Sequence, residues 1–263
     1  MTSAAGETLI SFKGVQKAFG PNVLYDGLDL EIRRGETLTI LGPSGCGKSV
    51  MLKMLIGLIG YDAGSIRFDG EEIQAMDRAA LSKLRVRIAY LFQSAALFDS
   101  MSVHDNVAYG LRERFWDSMS EDEIGSRVSK SLERVGLAGT ERMMPSDLSG
   151  GMRKRAGLAR TLALEPDVLL YDEPTTGLDP INTARINELI LTIQRELGLT
   201  SVVVTHDMKT AFHVSNRLCM LGKGKAYLVG TPDEFQATRD AYVRAFVEGT
   251  VLGDDHLQSY VPH

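Results

Sequence analysis

Two short stretches hold residue types that do chemistry together. Gly42-Pro43-Ser44-Gly45-Cys46-Gly47-Lys48-Ser49 follows the spacing G-x-x-x-x-G-K-[ST]. Glycines at these places let the backbone curl until its N–H groups converge on one anion, and the start of a following helix adds partial positive charge. Lys48 can then reach the β- and γ-phosphates of a nucleotide, and the Ser49 hydroxyl can ligate Mg2+. Cys46 contributes its backbone; its thiol as a redox switch is the minor alternative. Farther along, Val168-Leu169-Leu170-Tyr171-Asp172-Glu173 leads an apolar run into two acids, and Pro174 stops it. Ligands of open α/β sheets bind at the carboxyl ends of strands. Asp172 is therefore expected to hold Mg2+ through water, and Glu173 to orient and polarise the attacking water as a general base. The competing reading, two surface carboxylates in a turn, loses weight beside a phosphate loop. The chemistry expected is Mg2+-dependent hydrolysis of a nucleotide's phosphates.

These groups need strands and helices to aim them. Residues 37–41 read as a short apolar strand, broken by glycines, with a helix over 48–57 behind it. That is the context the phosphate loop requires. Residues 168–171 form a continuous apolar run, the pattern of a strand covered on both sides. Residues 201–205 read the same way. Half-buried alternation marks strands at 8–12 and 29–32, with more at 65–68 and 88–92. Helices are expected over 106–112, 121–135 and 151–164; Ile124, Val128, Leu132 and Val135 fall on one helical face. Another amphipathic helix carries Ile186, Leu189, Ile190, Ile193 and Leu197. Residues 217–221 and 226–229 flank Gly222 and Gly224 as a hairpin. Alternating helices and buried strands in the second half predict an α/β fold with a mainly parallel sheet. The stretch from about 95 to 164 has no strong strand signal and reads as a helical insertion.

Composition narrows the class. The chain has 263 residues, room for one large α/β domain or two small ones. A net charge of −5 argues against a nucleic-acid partner, whose backbone calls for a basic surface. The first seven residues are small and polar, unlike a signal peptide. No stretch approaches the roughly 18–20 apolar residues that span a bilayer, so a soluble or peripheral protein is expected. Two cysteines, Cys46 and Cys219, are too few for a disulfide framework and suit a reducing cytoplasm.

Further segments resemble the ABC ATPase family, in that family's order. Leu148-Ser149-Gly150-Gly151-Met152 looks like its signature motif at the start of a helix. Gln93 matches the Q-loop, Thr176-Gly177-Leu178-Asp179 the D-loop, and His206 the switch histidine. Phe19 sits where the family stacks an aromatic ring on adenine, with Phe12 as its rival. The resemblance runs from about residue 9 to 246. It implies a P-loop NTPase (RecA-like) core, mainly parallel, with an N-terminal antiparallel β-subdomain and an α-helical signature subdomain. One ATPase domain would cover 8–248, with a C-terminal extension at 249–263. It further implies that Ser149, Gly150 and Gly151 bind the γ-phosphate held by the opposite subunit, that Gln93 joins Ser49 and Asp172 at Mg2+, and that Glu173, His206, Gln93 and Lys48 are catalytic. Asp179 would count among the nucleotide-binding residues. Simpler roles stay open: Gln93 as a loop amide, His206 and Asp179 as helix caps, Phe19 as a core ring. The sequence departs from the family at Met152, where Gln is usual, and at Thr176, where Ser is usual. The phosphate contacts survive both.

The methionine signature followed by Arg153-Lys154-Arg155 resembles the ATPases paired with mammalian-cell-entry (MCE) proteins. So do Leu91-Phe92-Gln93-Ser94-Ala95-Ala96-Leu97-Phe98-Asp99 and Asp105-Asn106-Val107-Ala108-Tyr109. The maintenance-of-lipid-asymmetry transporters are the best-known type. This resemblance implies a homodimer on the cytoplasmic face of the bacterial inner membrane, a membrane permease, an MCE protein beyond it, and phospholipid or another hydrophobic cargo. A generic importer or exporter ATPase is the first alternative, and a soluble cassette such as an iron–sulfur assembly factor the second. Ala95, Ala96, Leu97, Phe98, Met101 and Val103 are expected to divide between permease contacts (Phe98, Met101) and helical core (Val103). Phe115 and Trp116 stay undecided between the two. The basic run at 153–155 is expected on a solvated helix face. The extension would reach across the dimer with Leu257, Tyr260 and Val261 as anchors, or remain a loose end.

Overall fold

A computed structural model describes residues 6–250. The anchors proposed at Leu257, Tyr260 and Val261 lie outside the described residues. Strands β1 (Thr8–Phe19) and β2 (Asn22–Arg33) form a long antiparallel hairpin. β4 (Ala63–Phe68) pairs with the other edge of β1, and the two-residue β5 (Glu71–Glu72) with β4. The order is β2-β1-β4-β5, all antiparallel.

The second sheet has the order β10-β9-β3-β8-β7-β6. It comprises β3 (Thr37–Leu41), β6 (Ile88–Leu91), β7 (Val168–Asp172), β8 (Thr200–Val204), β9 (Arg217–Gly222) and β10 (Lys225–Gly230). All neighbours are parallel except β10, which folds back on β9. Every residue of β3, β6, β7 and β8 is buried, as covered parallel strands should be. The two-residue period splits them between two cores. Leu38, Ile40, Val168, Leu170, Val202 and Val204 join Phe12 of the antiparallel sheet and Met51 and Leu52 of α1 (Lys48–Leu55). Leu169, Tyr171 and Val203 face the other way.

That second core is shared with α3 (Val103–Phe115), α4 (Glu121–Arg134), α5 (Gly150–Leu162) and α6 (Pro180–Leu197). Ser102, Ser120 and Ser149 cap the first three, each hydroxyl accepting from the N–H three residues on. No strand lies between 95 and 164. The chain thus has a parallel P-loop core, an antiparallel β-subdomain and a helical group, as the resemblance implied. α7 (Met208–Val214), α8 (Pro232–Ala237) and α9 (Ala241–Glu248) cover Leu218 and Met220. α2 (Arg78–Arg87) leads into β6.

The structure extends several expected elements. The strand at 8–12 runs to Phe19, and the helix at 106–112 spans three residues more at each end. The strand at 88–92 stops at Leu91, leaving Phe92 exposed. Helices α2, α7, α8 and α9 were not expected. Each is short, and α2 buries only Leu84, so no apolar period builds up.

Candidate active site

β3 ends at Leu41 and α1 begins at Lys48, so residues 42–47 form the loop between them. Tyr25, buried in β2, donates its hydroxyl to the Gly47 carbonyl at 2.7 Å. Gly47 has φ +100°, and a Cβ there would lie 2.7 Å from that hydroxyl, so only glycine fits. The antiparallel sheet therefore grips the loop from behind. Burial pushes the Tyr25 phenol well up, so it remains a protonated donor. Burial likewise raises the Cys46 thiol, which stays neutral and packed in the core. Gly42 is buried, Pro43 half-buried, and Ser44 and Gly45 are exposed at the loop's crest. Lys48 folds its ammonium over the loop, donating to the carbonyls of Gly42 at 2.7 Å and Pro43 at 3.0 Å.

Asp172, the last residue of β7, meets a donor on each oxygen. Ser49 Oγ donates to Oδ1 at 2.8 Å and Tyr90 Oη to Oδ2 at 2.7 Å. Burial, and then the bond to Asp172, push the Tyr90 phenol far up. A hydroxyl and a carboxylate this close make a small set of hard oxygens. That fits Mg2+, which takes one or two protein ligands and completes its shell with phosphate and water.

Glu173 follows in an unusual backbone state, φ +51°. A non-glycine residue there is strained and must be held by its surroundings. Its N–H donates to Val204 O of β8 at 2.8 Å, and its carbonyl accepts from Lys154 Nζ at 3.2 Å. Its carboxylate is gathered at Oε2: His206 Nδ1 lies 2.9 Å away, Thr176 Oγ1 3.1 Å and Thr205 Oγ1 3.5 Å. The glutamate side chain is 14% exposed and the histidine 67%, so the pair spans from protein interior to open surface. Such a carboxylate can accept a proton from water.

The remaining expected residues fall into two groups. Gln93 is exposed in the loop after β6 and makes no described hydrogen bond to Asp172. Phe19 is 48% exposed at the end of β1, with the Lys17 ammonium 4.9 Å from its ring centroid. Its rival Phe12 is sealed in the core and is not available to a ligand. Ser149, Gly150 and Gly151 lie at the start of α5. Ser149 Oγ accepts from Met152 N at 3.2 Å, and no described bond joins it to Lys48 or Ser49. A Cβ on Gly151 would lie 2.7 Å from Asn182 Oδ1, so glycine lets α5 abut the start of α6. Asp179 caps α6, accepting from the N–H of Ile181 and Asn182 at 2.9 Å each.

One expectation about neighbouring residues changes in part. Arg153 is exposed, as a solvated face requires, but the rest of the basic run at 153–155 is not. Lys154 is 8% exposed and reaches Glu173. Arg155 donates to the carbonyls of Val135 and Gly136 at 2.9 Å each. As expected, Val103 is core and Phe98 is 41% exposed, its ring tilted against that of Tyr109 at 4.9 Å; Ala95 is also core. Phe115 packs against the helical core and Trp116 is open to solvent. Sequence reasoning missed Tyr25, Tyr90, Thr205 and Lys154. For the first three the one signal was a polar atom placed in or beside an otherwise apolar run; Lys154, set between two arginines, had none.

The family described as "ABC transporter" matches residues 25–176. The chain is 42% identical over 245 residues to the "Intermembrane phospholipid transport system ATP-binding protein MlaF" of Escherichia coli (strain K12), covering 93% of this chain and 90% of that protein. It is 41% identical over 244 residues to the "Probable ribonucleotide transport ATP-binding protein mkl" of Mycobacterium tuberculosis (strain H37Rv), covering 93% and 67%. Among solved structures it is similar to a dimeric post-hydrolysis state of the ATP-binding cassette MJ0796 bound to ADP and Pi. That match has a TM-score of 0.77 and 30% identity, covering 85% of this chain and 99% of that one.

Proposed function

Because the chain belongs to the ABC transporter ATPase family, we propose that its hydrolysis of ATP energises an MCE-type transporter that moves phospholipid or another hydrophobic substrate across the bacterial envelope. The observation that carries the cargo is the 42% identity to the phospholipid-transport relative across 93% of this chain. The methionine signature and the segment around Gln93 point the same way.

The site's residues suggest how each turnover runs. Loop amides and Lys48 bind the phosphates, and Phe19 stacks on the adenine. Ser49, Asp172 and Gln93 would hold Mg2+, which screens phosphate charge. Glu173, supported by His206, takes the proton of the attacking water. Each chain holds Ser149 apart from its own phosphate loop, which favours a head-to-tail homodimer. In that pair Ser149, Gly150, Gly151 and Asp179 of one chain complete the other's site. The exposed rings of Phe92, Phe98 and Tyr109 suit a membrane permease on the cytoplasmic face, with an MCE protein beyond the bilayer. No helix among the described residues is long and apolar enough to cross a membrane, in keeping with a peripheral subunit. We treat 8–248 as the ATPase domain, with its helical part at about 95–164, and 249–263 as an extension.

Glu173→Gln is the direct test. The variant should bind ATP normally, lose most turnover and accumulate as a closed dimer in size-exclusion chromatography with light scattering. Wild-type hydrolysis by this variant would overturn the role of Glu173. For the cargo, the complex purified from membranes should carry an MCE protein and phospholipid. Recovery of nucleotide cargo instead would favour the activity in the mycobacterial relative's name.

A further inference from the structure

Helix α5 touches two different pieces of catalytic machinery. Its N-cap is Ser149, and just over one turn later Lys154 crosses to the carbonyl of Glu173 at 3.2 Å. We infer that Lys154 is a positioning residue for Glu173, and that through it the ATP site engaged by Ser149 governs the hydrolytic geometry of the other site in the dimer. The inference rests on the head-to-tail arrangement proposed above.

The first observation is burial. Lys154 is 8% exposed, and a buried ammonium is costly unless polar groups replace its water. Burial lowers its basicity, and the negative charge of Glu173 opposes that loss. Its basic neighbours spend their donors locally. Arg153 reaches Leu148 O, and Arg155 reaches the end of α4. Lys154 alone in the run crosses to the strand that bears the acids.

The second observation is the backbone of Glu173. Its φ of +51° is a left-handed state that a glutamate does not hold unaided. Val204 O fixes the N–H side at 2.8 Å. The carbonyl side has Lys154 Nζ and Thr176 N, the latter at 3.3 Å. Without Lys154, only the longer bond to the next turn restrains that side, and the aim of the carboxylate rests on its contacts with His206, Thr176 and Thr205 alone. A misaim of about 1 Å can cost two orders of magnitude in rate.

The third observation is stiffness. α5 abuts α6 through Gly151 and is packed through Ala156, Leu158, Ala159 and Leu162 in the core. A helix moves as a body. When its N-terminal amides and Ser149 engage a phosphate on the partner, the shift reaches Lys154 and therefore Glu173. Each site's base thus registers whether the opposite site is filled.

The test uses the full-length chain with Mg-ATP and compares Lys154→Met, Lys154→Gln and Lys154→Arg. Lys154→Met should lower kcat about tenfold or more, the worth of one hydrogen bond from a charged donor. Its KM and its affinity for ATP should stay close to wild type. The Hill coefficient for ATP should exceed 1 in the wild type and fall to about 1 in Lys154→Met. Lys154→Arg should recover most of the rate. If thermal melting shows that Lys154→Met does not fold, Lys154→Gln, of similar reach but uncharged, is read in its place. A variant kcat equal to wild type overturns the positioning role. A Hill coefficient unchanged by the substitution, or a wild-type value of 1, overturns the coupling. Failure of Glu173→Gln to trap a dimer would instead overturn the head-to-tail reading. The kcat comparison would then still decide whether Lys154 positions Glu173.

Discussion

Asp172 is gripped on both oxygens, by Ser49 on one and Tyr90 on the other. Tyr90→Phe removes one donor and keeps the ring. Half-maximal ATPase activity should then require more Mg2+, while ATP binding without Mg2+ stays unchanged; a metal titration of the two proteins checks this. Lys48→Ala should weaken nucleotide affinity about tenfold or more, the worth of a charge-assisted hydrogen bond, in equilibrium binding. Unchanged affinity would count against the phosphate loop. The placing of Lys48, Ser49, Asp172 and Glu173 at one end of the parallel strands was legible because their motifs depend on neighbours a few positions away. Tyr25 and Tyr90 were not. Strand alternation says that a side chain is buried, and is silent on what its hydroxyl meets across the fold. Lys154 read as a solvent residue because three successive basic residues usually are. Its burial comes from the approach of α5 to β7, which no local pattern encodes.

At the scale of elements, a chain of charges ties the two sheets together. Asp69, just after β4, accepts from Arg87 at the end of α2 at 2.7 Å and from Arg34 after β2 at 2.8 Å. Arg87 also reaches Asp167, just before β7, at 2.6 Å. Arg87 foremost, with Arg34, holds the Asp69 carboxyl below its ordinary range. A carboxyl whose pKa is depressed by folding stabilises the fold above its unfolded pKa of about 3.9, and that contribution is lost as pH falls through the lower folded value. Asp69→Asn should therefore melt a few degrees below wild type at pH 7, no more, because water screens these half-exposed groups. The gap should close below about pH 4, which melting curves at both pH values will show. Salt should narrow it at neutral pH. Most helices and strands were legible at this scale, since long periodic segments declare themselves. Helices α7, α8 and α9 were not, being six to eight residues each. Their caps Asp207, Thr231 and Asp240 were the available signal.

At the scale of the whole molecule, the separation of Ser149 from Lys48 makes a complementation experiment possible. Chains carrying Lys48→Ala and chains carrying Ser149→Arg should each be inactive alone. Mixed, they should regain part of the activity, short of half the wild-type rate, because one of the two sites in the hybrid pairs an intact loop with an intact signature while the opposite, coupled site stays unfilled. Steady-state ATPase assays across mixing ratios check this; no recovery at any ratio would count against the head-to-tail pair. The sheet order has a consequence in time as well as in space. β3, which delivers the phosphate loop, lies between β8 and β9. Those partners are synthesised after every other strand of the sheet except β10, ending at Gly222. While the chain leaves the ribosome, β1, β2 and β4 can pair early, but β3 must wait for partners not yet made. The loop exists from the first quarter of translation without the frame that shapes it. Nucleotide is therefore a ligand of the finished chain and cannot chaperone the first half of its own binding domain.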